Sequence, residues 1–216
     1  MVKIYLIRHG ETDFNVEHKI AGQIETNLTE RGKKQALELA YELKKKNITF
    51  DALLCSPLKR AQDTANIISE VISVPIIYNA DLKEFSNGIY EGVKIEDLKQ
   101  LQFIPPYKTA GCAFSNGADL WDAYSSFDPK YDMLSYPEGE TKQQACNRFM
   151  NAIKTFLNKT PNVQNLGVVA HGAVIRFMLL KICPHCLKEK IKNTEVRTVL
   201  YDSNKRVFEA SPQSNN

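Results

Sequence analysis

Two apolar runs in this chain end alike: KIYLIRHGET closes on His9 and Gly10, and LGVVAHGAVIR closes on His171 and Gly172. The chain has only four histidines, and open parallel α/β sheets bind ligands where strands run out into loops. A single histidine after a strand reads as a hydrogen-bonded loop residue, whereas two in equivalent places read as one shared site. The glycine after each histidine is expected to let backbone approach a ligand. Arg8 precedes His9, and Arg60 falls in the first turn of a helix expected to start at Ser56. Two guanidinium forks then converge where helix amides also favour an anion. Such a set describes a phosphoryl pocket, in which arginines grip tetrahedral oxygens and an imidazole nitrogen supplies the nucleophile.

The elements that must hold these residues follow from periodicity. Short aliphatic runs at Lys3 to Ile7, Ala52 to Cys55, Val74 to Tyr78 and Leu166 to Ala170 read as buried strands, with a fifth, more alternating one from Arg197 to Tyr201. Between them, TERGKKQALELAYELKKK carries Thr29 as a cap and Ala36, Leu39, Ala40 and Leu43 on one face. SPLKRAQDTANIISEVI is expected to be capped by Ser56, with Pro57 in the first helical position. TKQQACNRFMNAIKTFL is a third helix and AVIRFMLLKI, stopped by Pro184, a fourth. Strands alternating with amphipathic helices predict an α/β fold: a three-layer αβα sandwich, its sheet mostly parallel and covered by helices on both faces.

At 216 residues the chain suffices for one core, so a single domain over 1–216 is expected. Residues 102–137 break the rhythm, holding four of the nine prolines and eight of the twenty aromatics, Tyr107, Trp121, Phe127 and Tyr131 among them. Such aromatic density argues for a lid or specificity insertion, not disorder. Its aromatics are expected to pack on the core, and Lys108 and Lys130 either meet further phosphates or face solvent. The net charge of +3 comes without a basic stripe beyond Lys44, Lys45 and Lys46, so neither nucleic-acid nor membrane partners are expected. The N-terminus runs directly into a strand and the five cysteines are dispersed in apolar segments, which fits a cytoplasmic protein with reduced thiols. Oligomeric state leaves no signal in a single sequence.

LIRHGET, then SPLKRAQDTA, LKEFSNGIYEG and VVAHG, in that order over roughly residues 1–205, resemble the motifs of the histidine phosphatase superfamily, also called phosphoglycerate mutase-like. The resemblance implies that His9 is the nucleophile that becomes phosphohistidine, with Arg8, Arg60 and His171 holding phosphoryl oxygens. Glu84 matches the acid that protonates the leaving alkoxide and then activates water. Asn15 and Gln23 match positions lining the phosphate pocket, and Glu11 and Thr12 match orienting residues. Without that frame Arg60 reads equally as a solvated helix arginine near Asp63, and Glu84 as a surface carboxylate. His9 must be neutral at its attacking nitrogen, held in one tautomer by a carbonyl or carboxylate, while His171 is expected to be more useful charged. No metal-binding motif is present, and the resemblance implies metal-free, cofactor-free chemistry on small phosphorylated molecules.

Within the family, the residues after the acid separate the branches. Cofactor-dependent phosphoglycerate mutases resemble one another in an Arg-His-Tyr run there, whereas this chain has Phe85, Ser86 and Asn87, with Tyr90 following in GIYEG. No positive charge in that run awaits a carboxylate or second phosphate, which favours a phosphomonoester hydrolase over a phosphoglycerate mutase. A non-catalytic phosphate-binding module ranks third, because no catalytic residue is lost. CPHC, Cys183 to Cys186, has dithiol spacing, but it follows a helix instead of opening one, so a reduced pair is expected ahead of a redox or zinc site.

Overall fold

The strands form because uninterrupted aliphatic runs need cover on both faces. A computed structural model describes residues 1–102, 114, 116–126, 128–184 and 190–211. Its sheet contains β1 (Val2–Arg8), β2 (Ala52–Cys55), β3 (Ile76–Tyr78), β4 (Asn165–Ala170), β5 (Val196–Asp202) and β6 (Val207–Ala210) in the order β3-β2-β4-β1-β5-β6. The first four in that order run parallel. β5 is antiparallel to β1, and β6 to β5. β3 is shorter than expected at its start: Pro75 has no N–H to give, and its carbonyl accepts from Leu53 N at 2.9 Å. β6 was not anticipated, since VFEA is brief and leaves both end residues exposed.

Alternate side chains divide between two cores, as the period of two requires. Ile4, Leu6, Leu54, Leu166 and Val168 face one. Tyr5, Ile7, Leu53, Cys55 and Val169 face the other. Helices α1 (Asp13–Val16), α2 (Glu30–Lys45), α3 (Lys59–Ile72), α4 (Ile95–Lys99), α5 (Gly117–Ser125), α6 (Lys142–Lys159) and α7 (Gly172–Ile182) accompany the strands. Leu39, Ala40 and Leu43 of α2 join Ala61, Ala65 and Ile68 of α3 on one side. Phe149 and Ile153 of α6 join Val174, Ile175 and Met178 of α7 on the other. The result is the expected three-layer sandwich. Thr29 caps α2 by accepting from Gly32 N at 2.9 Å, and Thr141 and Gln144 form a capping box on α6.

Three expectations need correction. Ser56 does not cap α3, which begins at Lys59 with Leu58 at the cap position. Ser56 lies one residue beyond β2, and its hydroxyl points to the strand ends, where it accepts from Leu58 N and meets His171. Within the interval expected to be irregular, α5 spans Gly117–Ser125 and buries Leu120 and Ala123, while Leu134 and Tyr136 enter the same core. Trp121 and Tyr131 pack partly against it, Lys130 pairs with Asp128 at 2.9 Å, and Tyr107, Lys108 and Phe127 lie outside the described residues. Cys183 is disulfide-bonded instead of reduced. Cys55 and Cys146 are buried and free, and Cys186 lies outside the described residues. Among the described residues no helix is long and apolar enough to cross a membrane.

Candidate active site

β1 and β4 are adjacent, with Arg8 paired to Ala170, so the two histidines that follow them meet: their ring centroids lie 5.2 Å apart. His9 Nδ1 lies 2.7 Å from the carbonyl of Gly10. A carbonyl only accepts, so Nδ1 carries the proton and Nε2 keeps its lone pair. The tautomer-fixing partner that the sequence left unassigned is the next residue's own backbone. Burial first, then the charges of Arg60 and Arg8, push the His9 pKa well below 6.5. The imidazole is therefore neutral, as a nucleophile requires.

His171 departs from expectation. Arg60 Nε donates to its Nδ1 at 3.3 Å, and its Nε2 lies 2.7 Å from Ser56 Oγ. A ring nitrogen that accepts from a guanidinium has no proton, so His171 is neutral with hydrogen on Nε2. Burial, Arg60, His9 and Arg8 all lower its pKa well below 6.5. The expected charge is absent because two arginines already fill this small space with positive potential.

Arg60 is 1% exposed, which rules out the solvated alternative. Besides His171 it donates to the carbonyls of Gly22 at 2.7 Å and Ile24 at 2.8 Å, which fix the guanidinium against the loop before α2. Arg8 donates through Nη1 to the Ile191 carbonyl at 2.6 Å, while its buried Nε has no hydrogen-bond partner among the described residues. A buried donor without a partner is costly, and a phosphoryl oxygen would satisfy it. Of the two glycines, Gly172 lines the cavity, whereas Gly10 serves close packing. A Cβ on Gly10 would sit 2.4 Å from the Gly32 carbonyl oxygen, and one on Gly172 would sit 3.2 Å from Arg8 Nε.

Glu84 is held by the start of α7. Its Oε2 accepts from Ala173 N at 3.1 Å, and its Oε1 from Val174 N at 3.1 Å and Phe85 N at 2.9 Å. The amides of Ala173 and Val174 are among those that a helix leaves unpaired at its N-terminus. The backbone around Glu84 is clamped in turn by a residue not anticipated from sequence. Arg148 of α6 donates to the carbonyls of Asp81, Lys83 and Glu84 at 2.8, 2.8 and 2.9 Å, and it is ion-paired to Glu140. Glu140 also accepts from Ser86 N at 2.9 Å. Gln23 belongs to this support and not to the pocket wall: its Nε2 donates to the Glu84 carbonyl at 3.0 Å. Glu91 accepts from Gln23 N at 3.0 Å and Asn87 N at 2.9 Å, tying the two loops together.

Thr12 and Asn15 form a capping box on α1, and the side-chain Oδ1 of Asn15 also accepts from Asn193 Nδ2 at 3.1 Å. Asn193 donates to the His9 carbonyl at 3.1 Å as well, a positioning role that nothing in the local sequence signals. Glu11 turns away from the pocket, accepting from Thr29 Oγ1 at 2.9 Å and lying 3.3 Å from Arg31.

Arg8, His9, Asn15, Arg60 and Glu84 line one cavity of about 260 Å³, whereas His171 and Gln23 are not among its lining residues. The far side comprises Trp121 and Ser125 from α5, Arg176 and Phe177 from α7, and Lys19, Lys190 and Ile191. The run after Glu84 indeed brings no cation, but Arg176, Lys190 and Lys19 supply positive charge from elsewhere in the chain.

Two arginines, a neutral histidine and a carboxylate, gathered at the strand ends of a three-layer α/β sandwich, are the set of side chains expected of a histidine phosphatase-type site. The model of the histidine phosphatase superfamily (branch 1) matches residues 4–105 and 113–212, and the chain belongs to this family. It is 33% identical over 202 residues to the metal-independent phosphoserine phosphatase of Arabidopsis thaliana, covering 92% of this chain and 76% of that protein. It is 31% identical over 182 residues to the uncharacterized phosphatase PhoE of Bacillus subtilis (strain 168), covering 84% and 78% of the two. The solved phosphoglycerate mutase of Bacillus anthracis str. Sterne shares the fold, with a TM-score of 0.80 at 23% identity over 97% of this chain and 91% of that one.

Proposed function

We propose that the protein hydrolyses small phosphomonoesters through a phosphohistidine at His9. The observation that carries this reading is the hydrogen bond from His9 Nδ1 to the Gly10 carbonyl, which directs the Nε2 lone pair outward from a ring kept neutral by burial and two arginines. In the first step Nε2 attacks phosphorus: an N–P bond forms, the ester O–P bond breaks, and the Glu84 carboxyl gives its proton to the leaving alkoxide. In the second, water attacks phosphorus, the N–P bond breaks, and the Glu84 carboxylate takes the water proton. Arg8 and Arg60 hold the equatorial oxygens and spread their charge. His171 rests on Arg60 and Ser56 and gains a reason to protonate when a dianion enters. Among the described residues no cluster of three or more His, Cys, Asp or Glu side chains is arranged to hold a metal.

The relatives named as phosphatases support hydrolysis, and one is a phosphatase of an amino-acid phosphate. A phosphoglycerate mutase is the second reading, favoured by the additional cations on the cavity wall. A cytoplasmic enzyme acting on soluble metabolites, without nucleic-acid or membrane partners, completes the proposal. Phosphate release from p-nitrophenyl phosphate in EDTA, compared with His9→Ala, tests it. Release that survives the chelator and is lost with His9, together with an acid-labile phosphoprotein after rapid quenching, is expected. No release by either protein, with interconversion of phosphoglycerates when bisphosphate is supplied, would establish the mutase instead.

A further inference from the structure

We infer that Gln35, on α2 and outside the cavity, is a positioning residue that fixes the proton of the His9 ring through the peptide unit joining Gly10 to Glu11. The inference rests on the hydrolase reading, in which His9 is the nucleophile, and adds the residue that orients it.

Two hydrogen bonds meet on that one peptide unit. Its carbonyl, belonging to Gly10, takes the Nδ1 proton of His9 at 2.7 Å, and its N–H, belonging to Glu11, donates to Gln35 Oε1 at 2.9 Å. A peptide unit is planar and trans, so its carbonyl and its N–H point in opposite directions from one rigid plate. Holding the N–H therefore aims the carbonyl. The units on either side have their own partners: Gly10 N donates to Thr64 Oγ1 at 3.1 Å, and the Glu11 carbonyl accepts from Thr29 N at 2.9 Å. Among the described residues, the unit between them is hydrogen-bonded to His9 and Gln35 alone. Glycine on one side of it has the widest backbone freedom, so an external hold is needed to fix the plate.

Close packing brings Gln35 within reach. The first turn of α2 lies directly on the backbone of Gly10 and Glu11, where a Cβ on Gly32 would overlap the Glu11 carbonyl oxygen. Gln35 follows Gly32 by three residues, one turn along the same side of the helix. It is half-buried beside the buried Ala36 and Leu39, and it does not line the cavity. Thr29 fixes the register of helix and loop, its hydroxyl donating to the Glu11 carboxylate at 2.9 Å.

Hydrogen bonds in series polarise one another. An acceptor on the Glu11 N–H makes the Gly10 carbonyl the stronger acceptor, which keeps the proton on His9 Nδ1 and raises electron density at Nε2, the atom that attacks phosphorus. Without Gln35 the Glu11 N–H loses its acceptor at a cost in free energy, and the plate turns to recover one, taking the Gly10 carbonyl off His9.

Nitrogen-15 NMR of the histidine rings, paired with kinetics on p-nitrophenyl phosphate, tests this in the free protein. The parent should show His9 protonated at Nδ1 and bare at Nε2, with a low-field Nδ1 proton. In Gln35→Met that proton should move upfield and kcat/KM should fall about 10- to 100-fold, while inhibition by inorganic phosphate changes less than about twofold, since Arg8 and Arg60 are untouched. Gln35→Glu keeps the reach and the acceptor, so it should restore kcat/KM to within about threefold of the parent. Unchanged His9 ring signals in Gln35→Met overturn the inference, whether activity is kept or lost. Should the methionine variant fail to fold, Gln35→Glu decides alone: its anionic acceptor strengthens the series and shifts the Nδ1 proton further downfield, and an unmoved proton overturns the inference. If the parent releases no phosphate from any ester, the hydrolase reading falls, and the ring signals still decide what Gln35 does to His9.

Discussion

Arg60 Nε donates to His171 Nδ1 at 3.3 Å, so a guanidinium takes the ring position that a protonated histidine would need for its own hydrogen. The arrangement stores an unprotonated imidazole next to the phosphoryl site. Both His171 and His9 have folded-state pKa values well below the ordinary 6.5. Below about pH 6.5 the unfolded chain binds protons that the folded chain refuses, so stability is present above that pH and lost as pH falls through it. Denaturant unfolding at stepped pH should show this loss, and it should flatten in His171→Asn. Binding of orthovanadate should raise the His171 pKa, seen as a downfield-to-upfield change in its ring nitrogen resonance. A His171 that titrates near 6.5 in the free protein would contradict the hydrogen-bond assignment.

The Glu84 carboxylate rests on the amides of Ala173 and Val174, and in the proposed hydrolysis it exchanges a proton with the leaving oxygen. Glu84→Gln should lower kcat by about 10² to 10⁴ with an alkyl phosphate, whose alkoxide needs a proton. With p-nitrophenyl phosphate, whose leaving group is stable as an anion, the loss in the first step should be far smaller. Equal losses with the two esters would remove Glu84 from the acid role.

Arg148 grips the carbonyls of Asp81, Lys83 and Glu84 without lining the cavity, which makes it a positioning residue. Arg148→Met should lower kcat about 10- to 100-fold with little change in KM, as losses of supporting shells do. Lysine presents no planar fork, so Arg148→Lys should rescue little. An unchanged dependence on leaving group in the variant, alongside lower stability alone, would show that the clamp serves only the fold.

Lys142 is 3% exposed, and its Nζ donates to the carbonyls of Ala123 at 3.2 Å and Ser126 at 2.8 Å, at the end of α5. Burial lowers its pKa to about 8 from 10.5. Between those values the unfolded chain holds a proton that the folded chain has released, so stability should rise with pH from about 8 to 10.5. Unfolding free energies of the parent and Lys142→Met across that range check the point. Parallel profiles would rule out titration of this lysine.

Much of this protein is determined by short-range spacing. Strands at Ala52–Cys55 and β1, the Thr29 cap, the apolar faces of α2, α3 and α6, and the paired His-Gly ends all follow from residues within a few positions of one another. Such patterns survive in a linear reading because a helix or strand repeats every 3.6 or 2 residues. What the site does with them was decided only by tertiary structure. Glu84 meets Ala173 across 89 positions, Arg60 meets His171 across 111, and Asn193 meets His9 across 184. Contacts at those separations have no period to betray them. For the same reason Gln23 turned out to support Glu84, Ser56 to face His171, and His171 to be neutral. The cations missing after Glu84 likewise arrive from α7 and from Lys190. A pKa and a charge balance belong to the assembled cavity, because burial and neighbouring charge exist only once distant segments enclose the same space.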